Sequence, residues 1–116
     1  MLKITPESLA ALTAVEERAF VRRLAAMLRD AVPALANEPA AAMEAQVQLQ
    51  IEAARSYGMT SERAVATYAM TAAQLGVDFP DQFGGARDIL TASTSGDRKA
   101  DRLEAFTLRL FDALAQ

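Results

Sequence analysis

The chain contains no cysteine and no histidine. Without cysteine there are neither disulfides nor thiolate chemistry, and without histidine the side chain that most often serves as general base or binds zinc is missing. Much enzymology goes with them. β-Branched residues are sparse beside Ala, Leu, Arg, Glu and Gln, and no segment alternates apolar and polar residues between hairpin turns, which excludes a β-rich fold. No long hydrophobic run is present either. The longest notable uncharged stretch, residues 64–77, carries Thr67, Thr71 and Gln74 and is too short and too polar to span a bilayer.

Positive charge is also in deficit: 12 Lys and Arg stand against 15 Asp and Glu, a net charge of −3. Such a chain has no long-range attraction to phosphate backbones or anionic lipid, so neither nucleic acid nor membrane is an expected partner. The start, "MLKITPES", has no apolar run after Lys3, unlike a secretory signal, and a cytoplasmic location is expected.

What is present is a globular balance. The chain of 116 residues is 52% hydrophobic and 23% charged, enough for one domain over residues 1–116 that loses roughly two-thirds of its unfolded surface on folding. No fixed-period repeat or linker divides it.

The helices are legible from their punctuation. Thr5-Pro6-Glu7 has the form of an N-cap, a proline at the first helical position and an acid favoured by the helix dipole. Thr13 and Glu16 match a capping box, which predicts a break and a second helix start at Thr13. Phe20, Leu24, Met27 or Leu28, and Ala31 then recur on one face. Val32-Pro33 ends that run and a loop follows to about Pro39.

Met43, Val47, Ile51 and Ala54 form the stripe of the next helix. Gly58 fits the left-handed position beyond its end, and Thr60 or Ser61 caps a further helix with Val65, Tyr68, Ala69, Ala72 and Leu75 inward. Gly76 terminates that helix. "VDFPDQFGG" has no helical period and reads as an ordered irregular loop over residues 77–85. A brief helix from Ala86 to about Ala92 precedes "STSGD". Asp97 is expected to cap a last helix with Leu103, Phe106, Leu110 and Leu114 on its apolar face and Phe111 at the edge. The fold class is all-α: a compact bundle of about five to six helices around a central antiparallel helical hairpin.

Candidate chemistry is thin. Asp78, Asp81 and Asp88 lack the spacing and central glycine of a calcium loop, and the plainer role for Asp78 and Asp81 is bonding backbone amides in their own turn. Glu16 with Glu17, and Glu44 with Glu52, read as solvated helix faces and not as an acid/base pair. Gly84 and Gly85 precede a helix start, where amides attract anions, but the strand and lysine of a phosphate loop are missing. Neither a metal nor a cofactor is expected, and no enzyme. "MTSERAVATYAM" has the look of a helix-turn-helix, yet only Arg63 is there to meet phosphates. Met59, Phe79 and Phe83 fall in predicted turns or loops, where large apolar groups are less expected, and are candidate interface anchors.

"LKITPESLAAL", "ARSYGMTSERAVATYAMTAAQLGVDF" and "ARDIL" together resemble one pattern, that of small all-helical accessory proteins encoded in bacterial type VI secretion effector loci, beside PAAR-tipped toxins and their adaptor chaperones. The resemblance covers roughly residues 2–90. It is carried by Ile4, Thr5, Arg55, Tyr57, Gly58, Ser61, Glu62, Arg63, Val65, Leu75, Gly76, Asp78 and Phe79. Where the family pattern has Pro-Trp before the short helix, this chain has Pro80-Asp81 and Gly84-Gly85 and no tryptophan.

The resemblance implies a non-enzymatic co-chaperone that stabilises or loads a secreted effector or its adaptor. The expected partner-binding residues are Arg55, Tyr57, Met59, Arg63, Asp78, Phe79 and Phe83, since Tyr, Arg and Phe gain most from desolvation at an interface centre. The alternative for Tyr57 and Phe79 is that they staple the two ends of the hairpin. Competing functions are an immunity protein whose acidity suits a basic toxin, and a helix-turn-helix regulator. Self-association is compatible with all three.

Overall fold

The computed structural model describes the backbone of residues 6–115 and the side chains of residues 13–115. It is all-α, as the residue pattern predicts: six α-helices and one 3-10 turn, with no strand among the described residues. The chain forms two compact units, residues 1–44 and 45–116. No linker separates them, because the boundary falls inside one uninterrupted helix.

In the first unit α1 runs unbroken over Pro6–Ala31. The break expected at Thr13 is absent. Capping residues at Thr13 and Glu16 do not stop a helix when no glycine or proline follows them and the flanking Leu and Ala favour continuation. The N-cap predicted at Thr5 lies outside the described residues, as does Ile4. The inward stripe is Val21, Leu24, Ala25 and Leu28, so Leu28 and not Met27 occupies the shared position. Val32 N–H donates to the Leu28 carbonyl at 2.9 Å and Pro33 then opens the 3-10 turn Pro33–Leu35.

The second unit holds most of α2 (Ala40–Ser56), α3 (Glu62–Leu75), α4 (Phe79–Gln82), α5 (Gly84–Thr91) and α6 (Gly96–Leu114). Val47, Ile51 and Ala54 of α2 are fully buried, as their spacing predicts. Beyond Ser56 the chain closes a tight turn, in which Met59 N–H and Tyr57 N–H both donate to the Ala54 carbonyl at 3.0 Å. Gly58 takes φ +80° there, a conformation that costs a residue bearing Cβ about 1 kcal/mol or more.

Ser61 caps α3 by accepting from the Ala64 amide at 3.1 Å. Val65, Tyr68, Ala69 and Ala72 face inward while Leu75 is half-buried. α3 packs along α6, and α5 packs against both α4 and α6. Ala64 of α3, Ala86 of α5 and Ala100 of α6 are fully buried, and their small size lets backbones approach closely.

Two local expectations are corrected. Residues 77–85 are not irregular: Pro80 sits in the first turn of α4, and Gly84 and Gly85 already belong to α5. A four-residue helix is too short to leave a periodic signal. At α6 the cap is Ser95, which accepts from the Arg98 amide at 3.1 Å, and not Asp97. Asp97 is left in the first turn, where its carboxylate complements the helix dipole and is available to a neighbour.

Candidate functional site

The helix order of the second unit scatters the expected partner-binding residues into different settings. Met59 and Phe79 are fully buried, so neither offers a surface. The turn position that suggests exposure for Met59 is covered by the start of α6, where the Cβ of any residue at Gly96 would collide with the Gly58 carbonyl and lie 2.9 Å from the Met59 Cα.

Phe79 packs on Tyr68 with ring centroids 5.0 Å apart, and Tyr68 in turn meets Tyr57 at 6.1 Å. Three rings thus run from the α2–α3 turn through α3 to α4, which is the stapling alternative realised with Tyr68 as the middle ring. Only Tyr57, half-buried at one end, keeps an accessible surface. Its backbone carbonyl accepts a 2.8 Å hydrogen bond from Nζ of the buried Lys99, a cation placed on the carbonyl end of α2.

Burial pushes the Tyr68 phenol up to about 12, with smaller contributions from Tyr57 and Asp81. A raised phenol value means that the fold favours the protonated form, so this contribution is intact below the unfolded value near 10 and is lost as pH rises towards 12. Absorbance titration in the phenolate band should show one tyrosine ionising near 12, with unfolding advancing over the same window. Ionisation of Tyr68 near 10 in the folded protein would contradict the burial.

Arg63 does not stand free at the helix start. Its guanidinium pairs with the Asp101 carboxylate at 2.9 Å and donates to the Asp97 carbonyl at 3.0 Å. Ser61, beside it, donates to Asp97 Oδ1 at 2.6 Å while capping α3. The exposed ion pair contributes little to stability, about 0–1 kcal/mol. The cation at the start of α3 is thus engaged by α6, with Glu62 beside it in the first turn.

Asp78 precedes α4 and its side chain caps nothing, although its carbonyl accepts from Asp81 and Gln82. Asp81 bonds the Arg87 guanidinium instead of a turn amide, so the backbone role expected for both aspartates is not the one they play. No group of three or more His, Cys, Asp or Glu side chains converges among the described residues. Arg55 is exposed on the last turn of α2.

Phe83 belongs to a separate contact. It is half-buried and meets Phe106 of α6 edge-on, at 6.2 Å between centroids. Gly85 makes room for that ring, because a Cβ there would lie 2.8 Å from Phe106 Cε2. From Phe106 the apolar stripe of α6 continues out of the core. Leu103 is fully buried, Phe106 and Leu110 are half-buried, Phe111 is 42% exposed and Leu114 71% exposed. Leu108, on the outer side of the same helix, is 61% exposed.

The predicted stripe is therefore real, but it is buried only in its first half and becomes progressively exposed towards Leu114. The apolar surface that runs from Phe83 and Phe106 past Leu110 to Phe111 and Leu114 is the feature that residue-by-residue motif reading misses. The spacing that identifies an inward face is the same whether a second helix covers it or not. No helix of the described residues is long and apolar enough to cross a membrane. No family model, no curated protein and no solved structure matches this chain.

Proposed function

We propose that the protein is a non-enzymatic accessory factor that binds another protein through the open half of α6, with Phe83 and Phe106 at its inner margin. The observation that supports this most is the stripe Leu103–Phe106–Leu110–Leu114, buried at one end and 71% exposed at the other. An amphipathic helix lays such anchors into a partner's groove at intervals of three and four residues. Apolar and aromatic anchors surrounded by a charged rim supply most of the energy in interfaces of this kind.

The resemblance to accessory proteins of type VI secretion loci suggests the partner: a secreted effector or its adaptor chaperone, met in the cytoplasm before export. Arg55 and Tyr57 at the α2–α3 turn are secondary contacts in this reading. Met59 and Phe79 act through the fold and not by touching the partner.

The test is co-expression with candidate effectors and adaptor chaperones of type VI secretion loci, followed by co-purification and titration. Leu114→Asp should weaken binding at least about tenfold while leaving the melting curve unchanged, because the residue is exposed. Unaltered affinity would remove the α6 surface from the interface. Rescue of cells from the toxin in place of stabilisation of it would move the assignment to an immunity protein.

A further inference from the structure

Arg18, Arg22 and Arg29 follow one another along α1 at intervals of four and seven residues. At the α-helical pitch these positions fall within about 40° of one another, which makes a straight row about 16 Å long. The row runs roughly a right angle round the helix from the buried stripe of Val21, Leu24, Ala25 and Leu28. Arg18 and Arg22 are exposed and Arg29 is half-buried.

Nothing described neutralises this row. None of the three guanidiniums forms an ion pair or a hydrogen bond with another described residue, and Nε of Arg29 is buried without an acceptor. The acids of α1 whose side chains are described, Glu16, Glu17 and Asp30, lie about 100° or more round the helix from the centre of the row. α6 shows the ordinary arrangement of a solvated face: Asp97, Asp101, Glu104 and Asp112 line up beside Arg98, Arg102 and Arg109. Arg29 at least complements the carbonyl end of α1. Arg18 and Arg22 lie further in, and as like charges four residues apart they work against the helix that carries them.

The surroundings of the row select among anions. Exposed Val15 and Ala26 border it on the side away from the buried stripe, which gives a protein segment an apolar margin to cover. No ring is there to stack a nucleic-acid base, because Phe20 lies on the opposite side of α1. A membrane surface would require a free apolar face, whereas the stripe of α1 is buried. Carboxylates are the group that guanidinium forks bind with two bonds at once in a protein partner.

We propose that the arginine row of α1 docks an acidic helical segment of another protein, with carboxylates at intervals of three and four residues. The row belongs to the first unit and uses no residue of α6, so this surface stands or falls separately from the α6 face.

The probe is a labelled, alanine-rich helical peptide with glutamates at i, i+4, i+7 and i+11, a set that contains the spacing of the row in either chain direction. Fluorescence anisotropy with the full chain should show binding at low salt that weakens at least about tenfold by about 300 mM salt, because exposed charges are screened. Arg18→Glu and Arg22→Glu should each weaken it about tenfold, and Arg22→Gln less but in the same direction. Arg102→Glu changes the net charge equally on α6 and should alter affinity by less than about twofold. Circular dichroism should be the same for all four, since the residues are exposed. The same peptide with lysine in place of glutamate should not bind. No binding of the glutamate peptide, an equal loss with Arg102→Glu, or tighter binding of a single-stranded oligonucleotide or of anionic phospholipid vesicles through the same arginines would each overturn the proposal.

Discussion

Phe79→Ala is expected to lower stability by about 3–5 kcal/mol, the range for deleting a fully buried aromatic side chain. Phe79 has no exposed surface, and it holds Tyr68 in place at 5.0 Å. Its removal leaves a cavity beside the middle ring of the three-ring row and takes from α4, a single turn, its one fully buried large side chain. For a chain of this size the total margin is only about 5–15 kcal/mol, so the variant should approach unfolding at growth temperature. Urea titration measures the loss directly. Phe79→Leu, which retains most of the volume, should recover at least half of it. If Phe79→Ala left the urea midpoint where it was but abolished partner binding, the residue would be an anchor after all and its burial no guide to its role.

Gly96→Ala should cost about 2–3 kcal/mol, an overpacking penalty larger than the helix propensity that alanine adds at a first-turn position. The added methyl would enter the Gly58 carbonyl and sit 2.9 Å from the Met59 Cα. Both obstacles are backbone, so no side chain can rotate aside, and Gly58 is itself committed to φ +80°. Gly84→Ala supplies the control. Nothing lies within 4 Å of a Cβ there, and the exchange should be neutral or slightly stabilising. Equal effects of the two exchanges on thermal unfolding would mean that the close approach of α6 to the turn does not limit stability.

How much of this is legible in the residues depends on how far apart the interacting groups lie. The α2 stripe, the turn glycine and the Ser61 cap all follow from neighbours within four positions, and each is found where its pattern puts it. The false break at Thr13 shows the limit of the same method, since a capping motif is also compatible with helix interior when nothing terminates the helix. One-turn α4 falls below the length at which a period can be seen. Long-range partners leave no local trace: Asp97 reads as a cap because its bond to Ser61 crosses 36 positions. For the candidate site, Tyr57 and Phe83 retain accessible surface while Met59 and Phe79 do not. A hydrophobic residue in a turn is exposed only if no later helix lies over it, and the residues around Met59 hold no sign of Gly96.

Five ties fasten the α2–α3 turn and the start of α3 to α6: Ser61 to Asp97, Arg63 to the Asp97 carbonyl and to Asp101, the Tyr57 carbonyl to Lys99, and the backbone contact at Gly96. All reach forward to α6, across 34 to 42 positions for the four bonded pairs. During synthesis on the ribosome, the earlier helices must wait, with the inner stripe of α3 uncovered, until the final segment has emerged. A message truncated before residue 96 would yield a product whose greasy surfaces never close, and quality-control proteases, not reduced affinity, would decide its fate.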